Sequence, residues 1–300
     1  MAVYLVVLTA VAYISVHPIR TPLYLSAMAM GAPQQDIELL ADGFRLKAWW
    51  VHGPVEPNLP LTDDAPVVIL AHGYMMSRSE VACTSYHLWR NGISSLSVDM
   101  RAHGRSEGKT CTLGVREKAE IKAAVAWVKE KRPHAQIGLL GSSMGGAACA
   151  FALADEPDLA DWLVLDSVYS SLASASMGWW SLLGVPGMRY VLSPILIVAW
   201  PMVGFNPFKV DVANALRKIG PKPVLMLHGD RDCLAIPAQA ERNLAVVQAH
   251  NDPTAEIVWF DECDHCEAIY RRTDVYIDHL IRFIKRQSPS AAPDALVISK

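Results

Sequence analysis

The sequence predicts a doubly wound α/β domain, with a mostly parallel central sheet, helices on both faces and a helical cap insertion. Three observations carry this. Short apolar runs alternate with amphipathic or Ala-rich stretches along most of the 300 residues. Most of those runs lack a period of two, the habit of strands covered on both faces in parallel sheets. The alternation breaks once, between Ser167 and Lys218, where Pro186, Pro194, Pro201 and Pro207 cut an aromatic-rich stretch into short pieces.

Ala2 to Val16 carries no charge before His17-Pro18 and Arg20-Thr21-Pro22 interrupt it. That is short for a span of about 20 residues, and no Lys or Arg precedes it, as a secretory signal would require. Residues 1–30 are therefore expected to be an N-terminal hydrophobic segment that anchors the chain at a membrane, the alternative being a helix buried against the domain. If the run extends to Met30, Arg20 must sit at an interface. Localisation would then be membrane-associated, and cytoplasmic otherwise.

The domain proper is expected over residues 31–287. Ile37, Leu39 and Ala41 alternate up to Asp42-Gly43, and Phe44, Leu46, Ala48 and Trp50 alternate after it. Asp-Gly between two alternating runs signals a tight hairpin. A Pro- and Asp-containing loop follows, from Pro54 to Pro66. Val67–Ala71, Ile93–Val98, Ile137–Leu140, Trp162–Leu165, Val224–Leu227 and Ile257–Phe260 then read as strands. Glu80–Asn91, Val115–Lys131, Ala147–Ala154, Pro237–Ala249 and Ala268–Lys285 read as helices. In the second of these Ile121, Val125 and Val128 share a face. The cap insertion covers about 168–218, and residues 288–300 read as a flexible tail.

Composition excludes some functions. Hydrophobic residues make up 52% and charged ones 19%, enough for a large core. The net charge of −3, with scattered Lys and Arg, excludes the basic stripe that nucleic acid demands. Of six cysteines only Cys263 and Cys266 are close, without a second such pair to complete a metal site. No cofactor and no metal are expected.

The chemistry begins at Gly141-Ser142-Ser143-Met144-Gly145, a G-x-S-x-G placed between a strand and a helix. Such a turn is sharp enough to strain its central residue, so the neighbours two positions away must be small. Ser143 is the centre and hence the candidate nucleophile. A serine hydroxyl needs a base, and the base needs an orienting carboxylate. His228-Gly-Asp-Arg-Asp232 and Asp261-Glu-Cys-Asp-His265 both follow strands, at the carboxyl edge where such sheets place their sites. The order serine, acid, histidine is satisfied by Ser143, either Asp230 or Asp232, and His265. His103 precedes the serine and is in the wrong order for the base. The turn His72-Gly73-Tyr74 ends the first buried strand, and the N–H groups of Tyr74 and Met144 are the expected oxyanion-hole donors.

Taken in order, His72-Gly73-Tyr74, Asp99 to Ser106, Gly141 to Gly145, His228 to Asp232 and Asp264-His265 resemble the α/β-hydrolase superfamily, over about Asp36 to Gln287. Within it the sequence is similar to bacterial serine hydrolases related to prolyl-oligopeptidase-like and Bem46-like proteins. The resemblance implies the α/β-hydrolase fold and makes Asp232 the acid. Two details depart from it: Ala102 stands where the family usually has Gly, and the stretch from Asp232 to Pro237 is longer than the family's by one residue. The implied activity is a carboxylesterase acting through an acyl-enzyme on a small-molecule ester, with catalytic Ser143, Asp232 and His265. Trp179 and Trp180, with Trp200 near, are expected either to line the acyl pocket or to pack the cap on the sheet. A peptidase, thioesterase or acyltransferase would use the same triad. A non-catalytic binding protein on this fold would usually have lost one of its members.

Overall fold

Asp42 and Gly43 both take left-handed backbone, at φ 48° and 79°. This is the turn whose twist matches that of the strands it joins. It connects β1 (Gln34–Ala41) to β2 (Phe44–Val51) in an antiparallel hairpin. The computed structural model of the chain describes residues 1–53, 65–181 and 187–288. Most of the Pro54–Pro66 loop and almost all of the expected tail therefore lie outside the described residues.

The remaining strands are β3 (Val67–Ala71), β4 (Ser94–Val98), β5 (Ile137–Ser142), β6 (Trp162–Asp166), β7 (Val224–Gly229) and β8 (Glu256–Phe260). They form a sheet of order β1-β2-β4-β3-β5-β6-β7-β8, parallel from β4 to β8. Every residue of β3 through β7 is buried. Alternate side chains enter two cores: Ile69, Leu139 and Leu165 face one side, while Leu70, Leu140 and Val164 face the other. A mostly parallel sheet covered by helices on both faces follows from burying such strands.

Taken in order, the helices are α1 (Ala2–Val16), α2 (Ala82–Arg90), α3 (Lys118–Lys131), α4 (Met144–Asp155), α5 (Leu172–Ser181), α6 (Met188–Leu192), α7 (Ile195–Val203), α8 (Val212–Leu216), α9 (Pro237–His250), α10 (Ala268–Arg271) and α11 (Thr273–Gln287). The expected helix from Ala268 to Lys285 is two, because Arg272 leaves the helical region at φ −132°. Helices α5 to α8 occupy the segment between β6 and β7.

The N-terminal segment differs from the expected anchor. Among the described residues no helix is long and apolar enough to cross a membrane. Helix α1 has 15 residues and buries Leu8, Ala12 and Val16 against Ile195, Leu196, Ala199 and Val203 of the cap. Arg20 is tied to the loop after β4. Its guanidinium donates to the carbonyls of His103, Gly104, Ser106 and Gly108, at 3.2, 3.0, 2.5 and 2.7 Å. Packing on the cap accounts for part of the apolar run, since the same helix leaves Val3, Val6 and Ile14 exposed.

Candidate active site

Strand β5 runs straight into α4, and Ser143 sits at the junction with φ 48° and ψ −111°. A side chain on Gly141 would lie 2.2 Å from the Gly146 nitrogen, and one on Gly145 2.2 Å from the Ala71 carbonyl oxygen. Only glycine lets the strand, the serine and the helix approach this closely. The Ser143 N–H donates to the Asp166 carbonyl at 2.8 Å, which ties the turn to β6.

The other two residues arrive from the ends of β7 and β8. A Cβ at Gly229 would come within 2.2 Å of the Cys263 carbonyl oxygen, so this glycine allows the two loops to meet. Asp232 is buried, and its Oδ1 accepts from the N–H groups of Leu234 and Ala235 at 2.9 and 2.8 Å. Asp230 is exposed. Asp264 accepts from the His265 and Cys233 N–H groups at 2.7 and 2.9 Å and so fixes the histidine's backbone.

These elements bring Ser143, His265 and Asp232 into one line. His265 Nδ1 lies 2.8 Å from Asp232 Oδ2, and its Nε2 lies 2.9 Å from Ser143 Oγ. A carboxylate can only accept at Nδ1, so the proton resides there and Nε2 is free to accept from the serine hydroxyl. Burial pulls the His265 pKa down. The hydrogen bond and charge of Asp232, with the charges of Asp166 and Glu80, outweigh it and raise the pKa above the ordinary value.

Tyr74 and Met144, the expected oxyanion donors, line the same cavity as Ser143. Met144 opens α4, and helix N-termini leave their first N–H groups unpaired. In the turn after β3 the Gly73 N–H is spent on Glu80 Oε2 at 2.5 Å. The Tyr74 N–H has no partner among the described residues.

A cavity of about 420 Å³ opens over Ser143 and His265. Apolar side chains of the cap, such as Leu172, Ile195, Leu196 and Ala199, form one side, with Val16 of α1. Trp179 lines it and meets Tyr74 edge-on at 5.6 Å. The side chain of Trp180 lies outside the described residues, and Trp200 is exposed and not part of the wall.

Sequence reading missed several residues of this site. Glu80 and Tyr270 line the cavity, and Ser15 and Val16 reach it from a segment read as an anchor. Asp166 lies buried behind the serine and accepts from Tyr276 Oη at 2.9 Å. Burial pushes its carboxyl up to about 6. His103 is buried beside His72, with ring centroids 5.1 Å apart.

Known proteins repeat this architecture. The sequence profile of the alpha/beta hydrolase fold matches residues 66–186. The chain is 27% identical over 216 residues to the uncharacterized protein YqkD of Bacillus subtilis, covering 67% of this chain and 64% of that protein. The match thus spans somewhat less than two thirds of that relative's length. It is also 27% identical over 224 residues to a monoacylglycerol lipase of Mycolicibacterium smegmatis, covering 64% of this chain and 79% of that one. Among solved structures, the Pyrococcus furiosus esterase Pf2001 superposes with a TM-score of 0.74 at 23% identity, over 91% of this chain and 98% of that one. At that identity the likeness is one of fold. The chain thus has the α/β-hydrolase fold, and its residues 66–186 match the sequence profile of that fold.

Proposed function

We propose that the chain is a serine hydrolase that cleaves carboxylic esters through an acyl-enzyme. One observation carries the reading: an unbroken hydrogen-bond line from Asp232 through His265 to Ser143 opens into a largely apolar cavity. His265 Nε2 takes the Ser143 proton as Oγ bonds to the ester carbonyl carbon. The Tyr74 and Met144 N–H groups receive the charge that develops on the carbonyl oxygen, each worth about 2.7–4 kcal/mol in comparable sites. Nε2 returns the proton to the leaving alkoxide as the C–O bond breaks. Water, deprotonated by the same nitrogen, then releases the acid.

The name of one relative, a monoacylglycerol lipase, supports ester cleavage. The test is hydrolysis of p-nitrophenyl esters from acetyl to palmitoyl by the wild type and by Ser143→Ala. Turnover by the wild type, lost in the variant, supports the reading. An inert wild type, or an active variant, overturns it.

A further inference from the structure

The cavity wall contains no Lys or Arg among the described residues, yet it holds two carboxyl groups, those of Glu80 and Glu267. They are not equivalent. Glu267 is held by the Asp264 N–H at 3.0 Å and by the Arg271 guanidinium at 3.1 Å. Glu80 has no Lys or Arg beside it among the described residues: its Oε2 takes the Gly73 N–H, and its main-chain carbonyl takes the Tyr270 hydroxyl at 2.9 Å. Its Oε1 and the Ser143 Cβ lie 3.4 and 3.7 Å from the same point beside Gly73. An uncompensated carboxyl thus sits beside the nucleophile, where burial pushes its pKa up to about 7.

Position says which half of the substrate it meets. The leaving oxygen must come within reach of His265 Nε2, because that nitrogen protonates it. Glu80 is close enough to His265 for their charges to act on each other, Tyr270 is bonded to the Glu80 carbonyl, and all three line the cavity with Cys266 and Glu267.

We propose that Glu80 reads the alcohol half of the substrate: its carboxyl attracts a positive group on the leaving alcohol, a hydroxyl hydrogen or an ammonium, and rejects an anionic one. This rests on the ester-hydrolase reading and narrows it to esters of polyhydroxy or cationic alcohols. Above pH 7, where Glu80 is mostly ionised and where the esters are compared, a carboxylate in a low-dielectric wall discriminates strongly, because water screens it little.

The test uses the full chain and four esters of one medium-length fatty acid: glyceryl, choline, methyl and carboxymethyl. The wild type is expected to prefer the glyceryl or the choline ester to the methyl ester by about tenfold in kcat/KM, and to disfavour the carboxymethyl ester; which of the first two leads identifies the positive group. Glu80→Ala is expected to bring the four within about twofold of one another. It also frees the Gly73 N–H and lowers all four rates together, so the ratios isolate recognition. Glu80→Gln can keep the Gly73 bond while removing the charge, and is expected to collapse the choline-to-carboxymethyl ratio. That variant decides the matter if the alanine variant does not fold. Ratios near one in the wild type, or ratios that survive both substitutions, overturn the role of Glu80. No turnover of any ester by the wild type overturns the ester-hydrolase reading instead, and this inference with it.

Discussion

The Tyr74 hydroxyl donates to the Ser15 carbonyl oxygen at 2.9 Å, joining the turn after β3 to the last turn of α1. The next residue, Val16, is both a cavity wall and a member of the cap's core. An N-terminal helix thereby becomes part of the substrate pocket.

Enlarging that wall is expected to change selectivity rather than chemistry. Val16→Trp should fill part of the cavity and lower kcat/KM for a decanoyl ester relative to an acetyl ester by about tenfold or more, since each methylene misfitted in an apolar pocket costs about 1–3 kcal/mol. The check is the ratio for the two p-nitrophenyl esters. An unchanged ratio would place the acyl chain elsewhere.

The serine turn is expected to tolerate no side chain at its flanks. A Cβ at Gly145 would lie 2.2 Å from the Ala71 carbonyl oxygen, whereas one at Gly31, φ 100°, meets nothing within 4 Å. Gly31→Ala then costs only the backbone strain, about 1–2 kcal/mol. Gly145→Ala must displace β3 or α4 and should cost more than about 4 kcal/mol, beyond the usual range of single substitutions. Urea midpoints of the two variants measure the difference, and equal losses would contradict the packing of this turn.

Two aspartates two residues apart should behave differently. Asp232 is buried against His265 Nδ1, and Asp230 is exposed. Asp232→Asn leaves the shape but favours the wrong imidazole tautomer, and should lower kcat by about 10³–10⁴. Asp230→Asn should change kcat less than about twofold. Steady-state kinetics of both variants on one ester decide, and similar losses in the two would remove Asp232 from its assigned place.

Much of this was legible in the sequence. Apolar runs announced β3, β5, β6 and β7, because a strand buried on both faces has no polar side to alternate with, whereas β4 buries three serines of its own. The flanking glycines located Ser143, because only a cramped backbone demands them. Spacing alone could not choose between Asp230 and Asp232. Burial separates them, and burial depends on how the loops after β7 and β8 meet at Gly229 and Cys263. Glu80 gave no signal, because a glutamate two residues ahead of a helix usually faces water. Sequence alone could not choose between an anchor and a buried helix for α1, because its partner, α7, lies almost two hundred residues away and no local pattern links them. Ala102 does take the glycine-like conformation that the resemblance demanded, at φ 62°. Loop contacts on both sides hold a non-glycine residue there, the Ala102 N–H donating to the Glu107 carbonyl at 2.9 Å.

The pH dependence follows from the charges around the histidine. His265 must be neutral to accept the Ser143 proton, so kcat/KM should fall as pH drops through its pKa. Asp232, Asp166 and Glu80 favour the protonated imidazole and together outweigh its burial. The acidic limb should therefore lie above the ordinary histidine value. Asp166→Asn can keep an acceptor for Tyr276 Oη while removing one of those charges, so its limb should move to lower pH with the plateau rate largely kept. The measurement is kcat/KM from about pH 5 to 9 for both proteins with a neutral ester. A limb that stays in place would mean that Asp166 is protonated where His265 titrates, which its raised carboxyl pKa of about 6 allows only at the acidic end of that range. A limb that moves upward would contradict the charge arrangement itself, because removing a negative neighbour cannot favour the imidazolium.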